Sequence, residues 1–208
     1  MYTVEYKDKR TTFVGHYGEF YASLFRNNQF YEMDFLQHIE NLAISGEYLD
    51  IGGNIGNHAM FFAMHCQAEK VYTFEPLNRY QKYIENNINA NNLGSKIELC
   101  KCGLSDSEEN VQFKWDDAKS ETIINPKTLD SFAEIFKNVS LIKIDVEGLE
   151  CNVIRGGEKV IMQHKPIIFC EILSQNNLTE IDNLLGTKGY VRSDKVFNSS
   201  LTYEYICK

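Results

Sequence analysis

Positive charge, proline and tryptophan are all scarce in this sequence of 208 residues. Basic residues number 21 against 29 acidic ones, which gives a net charge of −8, and no basic stripe is present. A nucleic-acid-binding surface depends on clustered lysine and arginine side chains that contact phosphates. We therefore expect no nucleic-acid partner, and the acidic balance mainly predicts solubility. The lack of repeats and low-complexity tracts predicts a single domain over residues 1–208.

Long hydrophobic runs and cysteine motifs are missing as well. No apolar run approaches the roughly twenty residues of a membrane-spanning helix, and the first residues contain no apolar signal region. These absences predict a cytoplasmic protein without a membrane span, although the abrupt start also fits a domain of a longer polypeptide. The six cysteines show neither C-x-x-C nor Cys-His metal spacing, which indicates reduced packing residues.

Short apolar strands alternate with helical segments along most of the chain. Strand patterns occupy the segments 47–51, 70–74, 96–104, 141–145 and 166–172. Helical patterns occupy the segments 57–66, 78–91, 149–162 and 178–185. This alternation predicts an α/β fold in which helices cover a mostly parallel sheet.

Segments outside this alternation complete the predicted domain. We expect an N-terminal helical cap over 1–45, with an amphipathic helix at 30–39, in front of a Rossmann-like core over 46–208. An extra strand is predicted at 111–115, and a terminal antiparallel hairpin at 190–207. The core then contains about seven strands.

A glycine-rich loop follows the first strand and precedes a helix. Its glycines, Gly52, Gly53 and Gly56, let the backbone approach a ligand, and the helix start offers free N–H donors. Their spacing differs from the G-x-G-x-x-G loop of dinucleotide-binding proteins. Asp50, just before the loop, would repel a pyrophosphate but can face the cationic end of S-adenosylmethionine. A nicotinamide oxidoreductase is therefore disfavoured.

Further polar residues at strand ends strengthen the prediction of S-adenosylmethionine as cofactor. Glu75, followed by Pro76, ends the second strand, where a carboxylate can accept hydrogen bonds from both ribose hydroxyls. Asn54 and Asn57 are either ligands of the amino-acid end or a turn residue and a helix cap. Three residues after the third strand either contact adenine or form an ordinary turn: Gly103, Ser105 and Asp106.

Several segments together resemble the FkbM family of methyltransferases. The resemblance runs from the glycine loop at 48–58 through 71–76 and 128–130, and its most specific part is Lys143–Glu150. It continues through 153–157 and 166–172. The resemblance implies a class I methyltransferase fold with strand order 3-2-1-4-5-7-6, helices on both faces, and O-methylation of sugar hydroxyls. Gly53 stands where the family usually has alanine, a small exchange that we expect not to affect binding.

Methyl transfer from a sulfonium requires alignment of the acceptor and removal of its hydroxyl proton. Asp145 ends the fourth strand, beside the strand that carries the glycine loop, and is the first candidate for a general base or an acceptor-positioning carboxylate. Glu147 in the next turn is a second candidate for this role. Lys143 lies on the same strand face and is either an ion-pair partner or a catalytic residue. His58 is either a base or a hydrogen-bonded structural residue.

Other candidates concern the acceptor and the methionine end of the cofactor. Glu171, near the end of the fifth strand, could bind a sugar hydroxyl. Trp115, Tyr21 and Phe30 could stack on a sugar face, with core or loop packing as the alternative. Glu32, in a Tyr-Glu pair that also resembles the family, could close over the methionine end of the cofactor.

The leading hypothesis is a sugar O-methyltransferase that uses a sugar or glycan acceptor and works with other glycan-synthesis enzymes or domains. The alternatives are a methyltransferase for another small metabolite or lipid, and a non-catalytic S-adenosylmethionine-binding domain of a larger protein. Asp145, Glu147 and Glu171 could instead bind Mg²⁺, but their spacing matches no fixed metal motif, and we expect no metal.

Overall fold

The described part of the chain, residues 1–113, 122–198 and 201–208, folds around one central β-sheet in this computed structural model. The strands are β1 (Tyr2–Tyr6), β2 (Lys9–Phe13), β3 (Gly46–Ile51), β4 (Ala68–Phe74), β5 (Ile97–Cys100), β6 (Val111–Phe113), β7 (Thr122–Ile124), β8 (Val139–Ile144), β9 (Ile167–Glu171), β10 (Tyr190–Phe197) and β11 (Thr202–Cys207). The α-helices are α1 (Glu19–Arg26), α2 (Met33–Leu42), α3 (Asn57–His65), α4 (Asn78–Ala90), α5 (Glu150–Gly156), α6 (Glu158–His164) and α7 (Gln175–Gly186). A short 3-10 helix covers Leu129–Phe132.

The central sheet contains seven strands in the order β5-β4-β3-β8-β9-β11-β10. The first five strands in this order are parallel, and β11 lies antiparallel between β9 and β10. When the strands of this sheet alone are numbered along the chain, the order is 3-2-1-4-5-7-6. This confirms the order that the family resemblance implies and the predicted α/β fold class.

Helices cover both faces of the sheet because alternate residues of a strand point to opposite sides. On β3, Tyr48 packs into a hydrophobic core with residues of α1 to α4, whereas Leu49 and Ile51 pack into a second core with α5, α6 and α7. β3 is buried along its whole length, so its carboxyl end lies between two layers of helices. Within the described ranges, no helix combines the length and hydrophobicity needed to cross a membrane.

The N-terminal segment differs from the helical cap predicted over 1–45. It begins with the antiparallel hairpin β1–β2, and only then follow the helices α1 and α2. Val4 and Phe13 of the hairpin point into the core shared with α1 to α4, and Lys7 in the turn has a φ of 52°. The hairpin could not be predicted from the sequence, because its turn residues Lys7 and Asp8 lack the Asn-Gly or Gly pattern typical of a two-residue turn.

Two predicted elements are shorter in the structure. The third strand of the predicted core, placed at 96–104, ends at Cys100. The helix predicted over 149–162 is divided into α5 and α6, which meet at Gly157. Asp130 accounts for the break, because its carboxylate accepts hydrogen bonds from two backbone N–H groups in the first turn of α6 and so caps a new helix.

The remaining predicted strands have different outcomes. The extra strand at 111–115 is present as β6, which ends at Phe113 and pairs with β7 outside the central sheet. Trp115, the predicted sugar-stacking residue, lies outside the described residues. The terminal hairpin is confirmed as β10 and β11, which form one edge of the central sheet.

Candidate active site

The carboxyl ends of β3, β4 and β8 open into a cleft with two arms. β3 lies inside the sheet, and the chain passes from it first to β4 and later to β8 on its other side. Such a switch point is the usual ligand site of a doubly wound sheet. Each arm is partly open to solvent and is lined by twelve residues. Both arms contact Gly52, Glu75 and Asp145.

The larger arm is apolar. Besides the three shared residues, its walls consist of Ile51, Phe74, Pro76, Gly103, Leu104, Ile124, Pro126, Val146 and Leu149. Pro76 and Gly103 were predicted to contact the cofactor, and the structure places both in this arm. Leu104, Ile124 and Pro126 were not predicted as site residues. Ile124 and Pro126 come from a segment without hydrophobic periodicity, and Leu104 was placed at the end of a predicted strand with no indication that it faces a ligand.

The smaller arm is polar. Besides the shared residues, its walls consist of Tyr21, Tyr31, Gly53, Asn54, Ile55, Asn57, His58, Lys143 and Glu147. The structure therefore brings the four predicted catalytic residues to one side of the glycine loop. Tyr31 was not predicted as a site residue, since it comes from the segment before β3 and reaches the cleft only through tertiary packing.

The glycine loop requires its glycines for steric reasons. Gly52 has a φ of 89°, and a Cβ atom there would lie 1.8 Å from the carbonyl oxygen of Asp145. Gly56, with a φ of 86°, directly precedes α3. The N–H groups of Gly52 and Gly53 both donate to the last carbonyl group of β4, so the loop folds back over that strand end. Only glycine adopts the positive φ angles of Gly52 and Gly56 at no steric cost.

Gly53 packs closely against the neighbouring strand β4, and the expectation that its exchange leaves binding unaffected stays a prediction. A Cβ atom at this position would lie 2.2 Å from Oγ1 of Thr73. Thr73 is fully buried, and its β-branched side chain has little rotational freedom. Its hydroxyl group donates a hydrogen bond to Oδ2 of Asp50 at 3.3 Å. The position of Thr73 on the adjacent strand therefore leaves no room for a side chain at position 53.

Glu75 lies where the two arms meet. Its Oε2 accepts a hydrogen bond from the backbone N–H of Asn54 at 2.9 Å, and its Oε1 accepts one from the N–H of Leu77 at 2.8 Å. Burial raises the pKa of Glu75 to about 7, although the two backbone donors partly offset this effect. Each carboxylate oxygen has a further lone pair, so the group can still accept hydrogen bonds from a ligand.

Lys143 forms a buried charge network with two carboxylates. Its Nζ lies 3.3 Å from Oδ1 of Asp50 and 3.2 Å from Oδ2 of Asp145, and it donates to the carbonyl oxygen of Gly52 at 3.0 Å. Burial alone would lower the pKa of Lys143, but the two carboxylates outweigh burial and raise it. The ammonium group therefore fastens the glycine loop to β8, as the ion-pair interpretation of Lys143 predicted.

Asp50 lies behind the loop rather than in the cleft. Its side chain is 0% exposed and is enclosed by Lys143, its neighbour on β8, and by Thr73 on β4. We predicted that it would face the cationic end of S-adenosylmethionine. A fully buried carboxylate that already has an ammonium partner has no open face for a second cation, so the structure gives Asp50 a supporting role.

Asp145, like Glu75, contacts both arms of the cleft. Burial alone would raise its pKa, but the charge of Lys143 and a hydrogen bond with Glu171 outweigh burial and lower the pKa. The carboxylate therefore stays ionised at neutral pH. Glu171, the predicted sugar-binding residue, ends β9 and lies next to Asp145. Among the described residues, no three His, Cys, Asp or Glu side chains are arranged to hold a metal ion.

The turn after Asp145 has a left-handed backbone. Glu147 has a φ of 57° and Gly148 a φ of 99°. Oε1 of the buried Glu150 accepts hydrogen bonds from the N–H groups of Gly148 at 2.9 Å and Val146 at 3.3 Å. Glu150 is the first residue of α5, where a negative charge is favourable. The structure adds that it holds the turn that presents Glu147 to the polar arm.

Residues that precede β3 close the polar arm. The backbone N–H of Tyr31 donates to Oδ1 of Asn57 at 3.0 Å, and Nδ2 of Asn57 donates back to the carbonyl oxygen of Tyr31 at 3.1 Å. The Asn57 amide is thus bound to the protein backbone. Beside it, Nε2 of His58 lies 2.9 Å from Oε2 of Glu32. Glu32, predicted to close over the methionine end of the cofactor, is therefore placed against His58.

Aromatic side chains at the polar arm differ in accessibility. The rings of Tyr21 and Tyr31 lie 5.8 Å apart, edge to face, in the wall of this arm. Phe30 is instead buried in the core between Phe13 and Phe61. Stacking of Phe30 on a sugar face is therefore excluded by its position.

Ser105 and Asp106 contact α5 and do not line either described arm. The Ser105 N–H donates to the carbonyl oxygen of Lys127, and its own carbonyl oxygen lies against Gly156 of α5. A hydrogen bond with Asn152 lowers the pKa of Asp106. The proposed contact of these two residues with adenine stays a prediction.

The profile of the methyltransferase FkbM domain matches residues 50–192. The chain belongs to the FkbM methyltransferase family. The matched region contains the glycine loop, Glu75 and the turn around Asp145, whereas Tyr21, Tyr31 and Glu32 lie outside it. No curated protein sequence matches the chain at a significant level.

Solved structures of other methyltransferases share the fold. FkbM methyltransferase from Methylobacillus flagellatus KT superposes with a TM-score of 0.61 at 21% identity, over 78% of this chain and 44% of that one. This chain thus spans less than half the length of that protein. A putative rRNA methylase from Clostridium thermocellum has a TM-score of 0.57 at 14% identity, over 85% of this chain and 94% of that one. Precorrin-6y C5,15-methyltransferase from Geobacter metallireducens GS-15 has a TM-score of 0.54 at 13% identity, over 83% and 84% of the two chains.

Proposed function

We propose that the protein is an S-adenosylmethionine-dependent O-methyltransferase that acts on a sugar hydroxyl of a glycan, polysaccharide or glycosylated metabolite. The observation that carries this proposal is the two-armed cleft, whose apolar and polar arms meet at Glu75 beside the glycine loop. Membership in the FkbM family supports methyl transfer as the reaction. S-adenosylmethionine would supply the electrophilic methyl group.

The apolar arm fits the adenosine part of S-adenosylmethionine. Phe74, Leu104 and Leu149 provide apolar walls for a flat purine ring. Glu75 at the inner end offers two carboxylate oxygens to the vicinal hydroxyls of a ribose. A pyrophosphate in the same place would meet the carboxylates of Glu75 and Asp145, and this repulsion disfavours a dinucleotide.

The polar arm fits the amino-acid part. Oδ1 of Asn54 is buried at this arm and has no hydrogen-bond partner within the described residues. A buried amide oxygen without a donor costs free energy, which a ligand donor would recover. The α-ammonium group of S-adenosylmethionine is a donor of the required kind.

The acceptor hydroxyl is assigned to the part of the polar arm around Asp145. The Asp145 carboxylate, held ionised by Lys143, can accept a hydrogen bond from an adjacent hydroxyl of the sugar and so orient the reacting oxygen toward the methyl carbon. Tyr21, Tyr31 and Glu147 complete a wall of hydroxyl and carboxyl groups. Such a wall suits a hydroxylated acceptor, whereas a lipid chain would need an apolar wall.

Isothermal titration calorimetry tests the cofactor assignment. We expect S-adenosylmethionine and S-adenosylhomocysteine to bind and NAD to show no heat of binding under the same conditions. Tighter binding of NAD than of S-adenosylhomocysteine would overturn the proposal. The measurement needs no knowledge of the acceptor.

Substitution of Asp145 tests the acceptor assignment. Asp145→Asn should bind S-adenosylhomocysteine with an unchanged Kd but produce S-adenosylhomocysteine with a panel of methyl glycosides at least about 100-fold more slowly, since the alignment of the acceptor suffers. Asp194→Asn, at an exposed position on β10, is the matched control. Transfer by Asp145→Asn at the wild-type rate, or transfer to fatty acids but to no glycoside, would contradict the assignment.

A further inference from the structure

Glu32 and His58 form a buried pair at the rim of the polar arm. Nε2 of His58 lies 2.9 Å from Oε2 of Glu32, and the two side chains are 6% and 7% exposed. Glu32 has a φ of 59° at the start of α2, a left-handed backbone conformation that is unfavourable for a residue with a side chain. A strained residue that places a carboxylate against a buried imidazole indicates a functional arrangement.

Neighbouring contacts hold this pair in place. The reciprocal hydrogen bonds between the Asn57 amide and the Tyr31 backbone join the residues that directly precede Glu32 and His58. Phe35 packs against the His58 ring, with a distance of 5.8 Å between ring centroids. These contacts hold the His58 ring against the Glu32 carboxylate.

The orientation of the ring decides which nitrogen is available to a ligand. Because Nε2 faces a carboxylate, it carries the proton and donates it to Glu32 in the hydrogen bond. Nδ1 then keeps its lone pair, and no described residue forms a hydrogen bond with it. His58 lines the polar arm together with Asp145.

Asp145 is poorly suited to be the proton acceptor. The charge of Lys143 lowers the pKa of its carboxyl group, and a weak base removes a hydroxyl proton inefficiently. An imidazole is better matched to proton transfer near neutral pH. The polar arm therefore contains one carboxylate suited to orientation and one imidazole suited to proton removal.

We propose that His58 is the general base of the methyl transfer and that Glu32 is its positioning residue; this inference rests on the proposed function. The acceptor hydroxyl gives its proton to Nδ1 of His58 as its oxygen bonds to the methyl carbon, while Asp145 accepts a hydrogen bond from a neighbouring hydroxyl of the sugar. The carbon–sulfur bond breaks, and its electron pair stays on sulfur in S-adenosylhomocysteine. Glu32 stabilises the imidazolium that results, as the carboxylate of a base–carboxylate pair does.

Charged and titratable groups surround the proposed base on several sides. Glu32 faces it from the start of α2 and Tyr31 from the segment before that helix. Asp145 at the end of β8 interacts with it electrostatically, and Lys143 and Glu147 line the same arm. The pH dependence of the reaction therefore has to be resolved by variants of single residues.

Rates of S-adenosylhomocysteine release with the methyl glycoside panel between pH 5.5 and 9 test the proposal. For the wild type we expect kcat to rise with pH and level off. His58→Gln should lose this rise and at least about 100-fold in kcat. Glu32→Gln should lose about tenfold or more in kcat with an unchanged KM, and its rise should move to lower pH because the imidazolium lacks its counter-charge. Glu19→Gln, at an exposed position on α1, is the matched control.

Nitrogen-15 NMR of the imidazole rings in the complex with S-adenosylmethionine adds a readout that is independent of the acceptor. We expect His58 to carry its proton on Nε2 in the wild type and to show a mixture of tautomers in Glu32→Ala. A wild-type ring protonated on Nδ1, or an unchanged pH profile in His58→Gln, overturns the inference. These results are distinct from failure of the proposed function, in which S-adenosylmethionine does not bind or no glycoside is methylated.

Discussion

Acids in the cleft differ in charge state because their nearest partners differ. Glu75 has only backbone N–H groups at its oxygens, and burial raises its pKa to about 7. Asp145 is only partly buried, and Lys143 at 3.2 Å more than offsets the effect of burial and lowers its pKa. At neutral pH one carboxyl group is thus partly protonated while the other is ionised. The two residues should respond differently to pH and to ligands.

The raised pKa of Glu75 predicts that the protein releases a proton when a ribose binds. Ribose hydroxyls donate to the carboxylate form, so below about pH 7 Glu75 must lose its proton as the ligand binds. Affinity for 5′-methylthioadenosine, which has the ribose but no amino-acid group, should rise with pH and level off above 7. The slope should approach a tenfold gain per pH unit at the acidic end. Calorimetry in buffers of different ionisation enthalpy measures the released proton directly.

Glu75→Gln provides the control for proton release. Its amide cannot titrate, so affinity should be lower than in the wild type and independent of pH across the same range. A wild-type affinity that falls as pH rises would show that the ligand prefers the protonated acid, and the ribose assignment would then be wrong.

The close approach of Gly53 to Thr73 predicts that substitutions at these two positions have coupled effects on stability. Gly53→Ala places a methyl group 2.2 Å from the Thr73 hydroxyl, and we expect it to lower the free energy of unfolding by about 2 kcal/mol. In the Thr73→Ala background the same change should cost less than about 0.5 kcal/mol, because the obstructing oxygen is gone. Urea unfolding of the four proteins measures this coupling. Gly94→Ala, where a Cβ atom meets no neighbour within 4 Å, is the matched control. Additive effects of the two substitutions would refute the clash.

At the scale of elements, the turn between β8 and α5 is held by one side chain. Glu150→Ala removes the acceptor of two backbone N–H groups, and we expect a loss of about 2 kcal/mol in the free energy of unfolding together with a lower kcat. Glu150→Gln keeps an acceptor oxygen and should restore most of both. Glu158→Ala, exposed in the first turn of α6, is the control. Equal losses in the alanine and glutamine variants would mean that charge, not the hydrogen bonds, matters.

Elements with regular hydrophobic patterns could be predicted from the sequence. The five parallel strands alternate with helices, and this pattern determines a doubly wound sheet whose ligand site lies at the strand ends. The hairpin β1–β2 was missed because its turn has no glycine. The break between α5 and α6 was missed because its cause, the cap from Asp130, comes from a distant segment.

The candidate site shows the same division between local and tertiary signals. Gly52, Glu75 and Asp145 directly follow strands, so their place at the sheet edge follows from local pattern. The burial of Asp50 depends on the cross-strand neighbour Lys143, which a single strand pattern does not reveal. The contact of Glu32 with His58 joins segments on both sides of β3, and no spacing in the sequence indicates it.

At the scale of the whole molecule, a buried asparagine joins the N-terminal region to the glycine loop. Asn87 on α4 is 0% exposed, and its Nδ2 donates to the carbonyl oxygen of Ile55 at 2.9 Å. Its Oδ1 accepts hydrogen bonds from the N–H of Val14 at 2.7 Å and from the hydroxyl of Tyr17 at 2.9 Å. One amide therefore couples the segment between β2 and α1, which lies outside the family match, to the loop proposed to bind the cofactor.

Asn87→Ala should weaken both folding and cofactor binding. It leaves three buried polar groups without partners, so we expect the free energy of unfolding to fall by about 3 kcal/mol or more. Because the Ile55 carbonyl group loses its donor, the loop should loosen and affinity for S-adenosylhomocysteine should drop several-fold. Asn89→Ala, exposed on the same helix, should change neither quantity. Hydrogen exchange should speed up in the variant at both Val14 and Ile55. Faster exchange at Val14 alone, with unchanged affinity, would show that the N-terminal region and the loop are held independently.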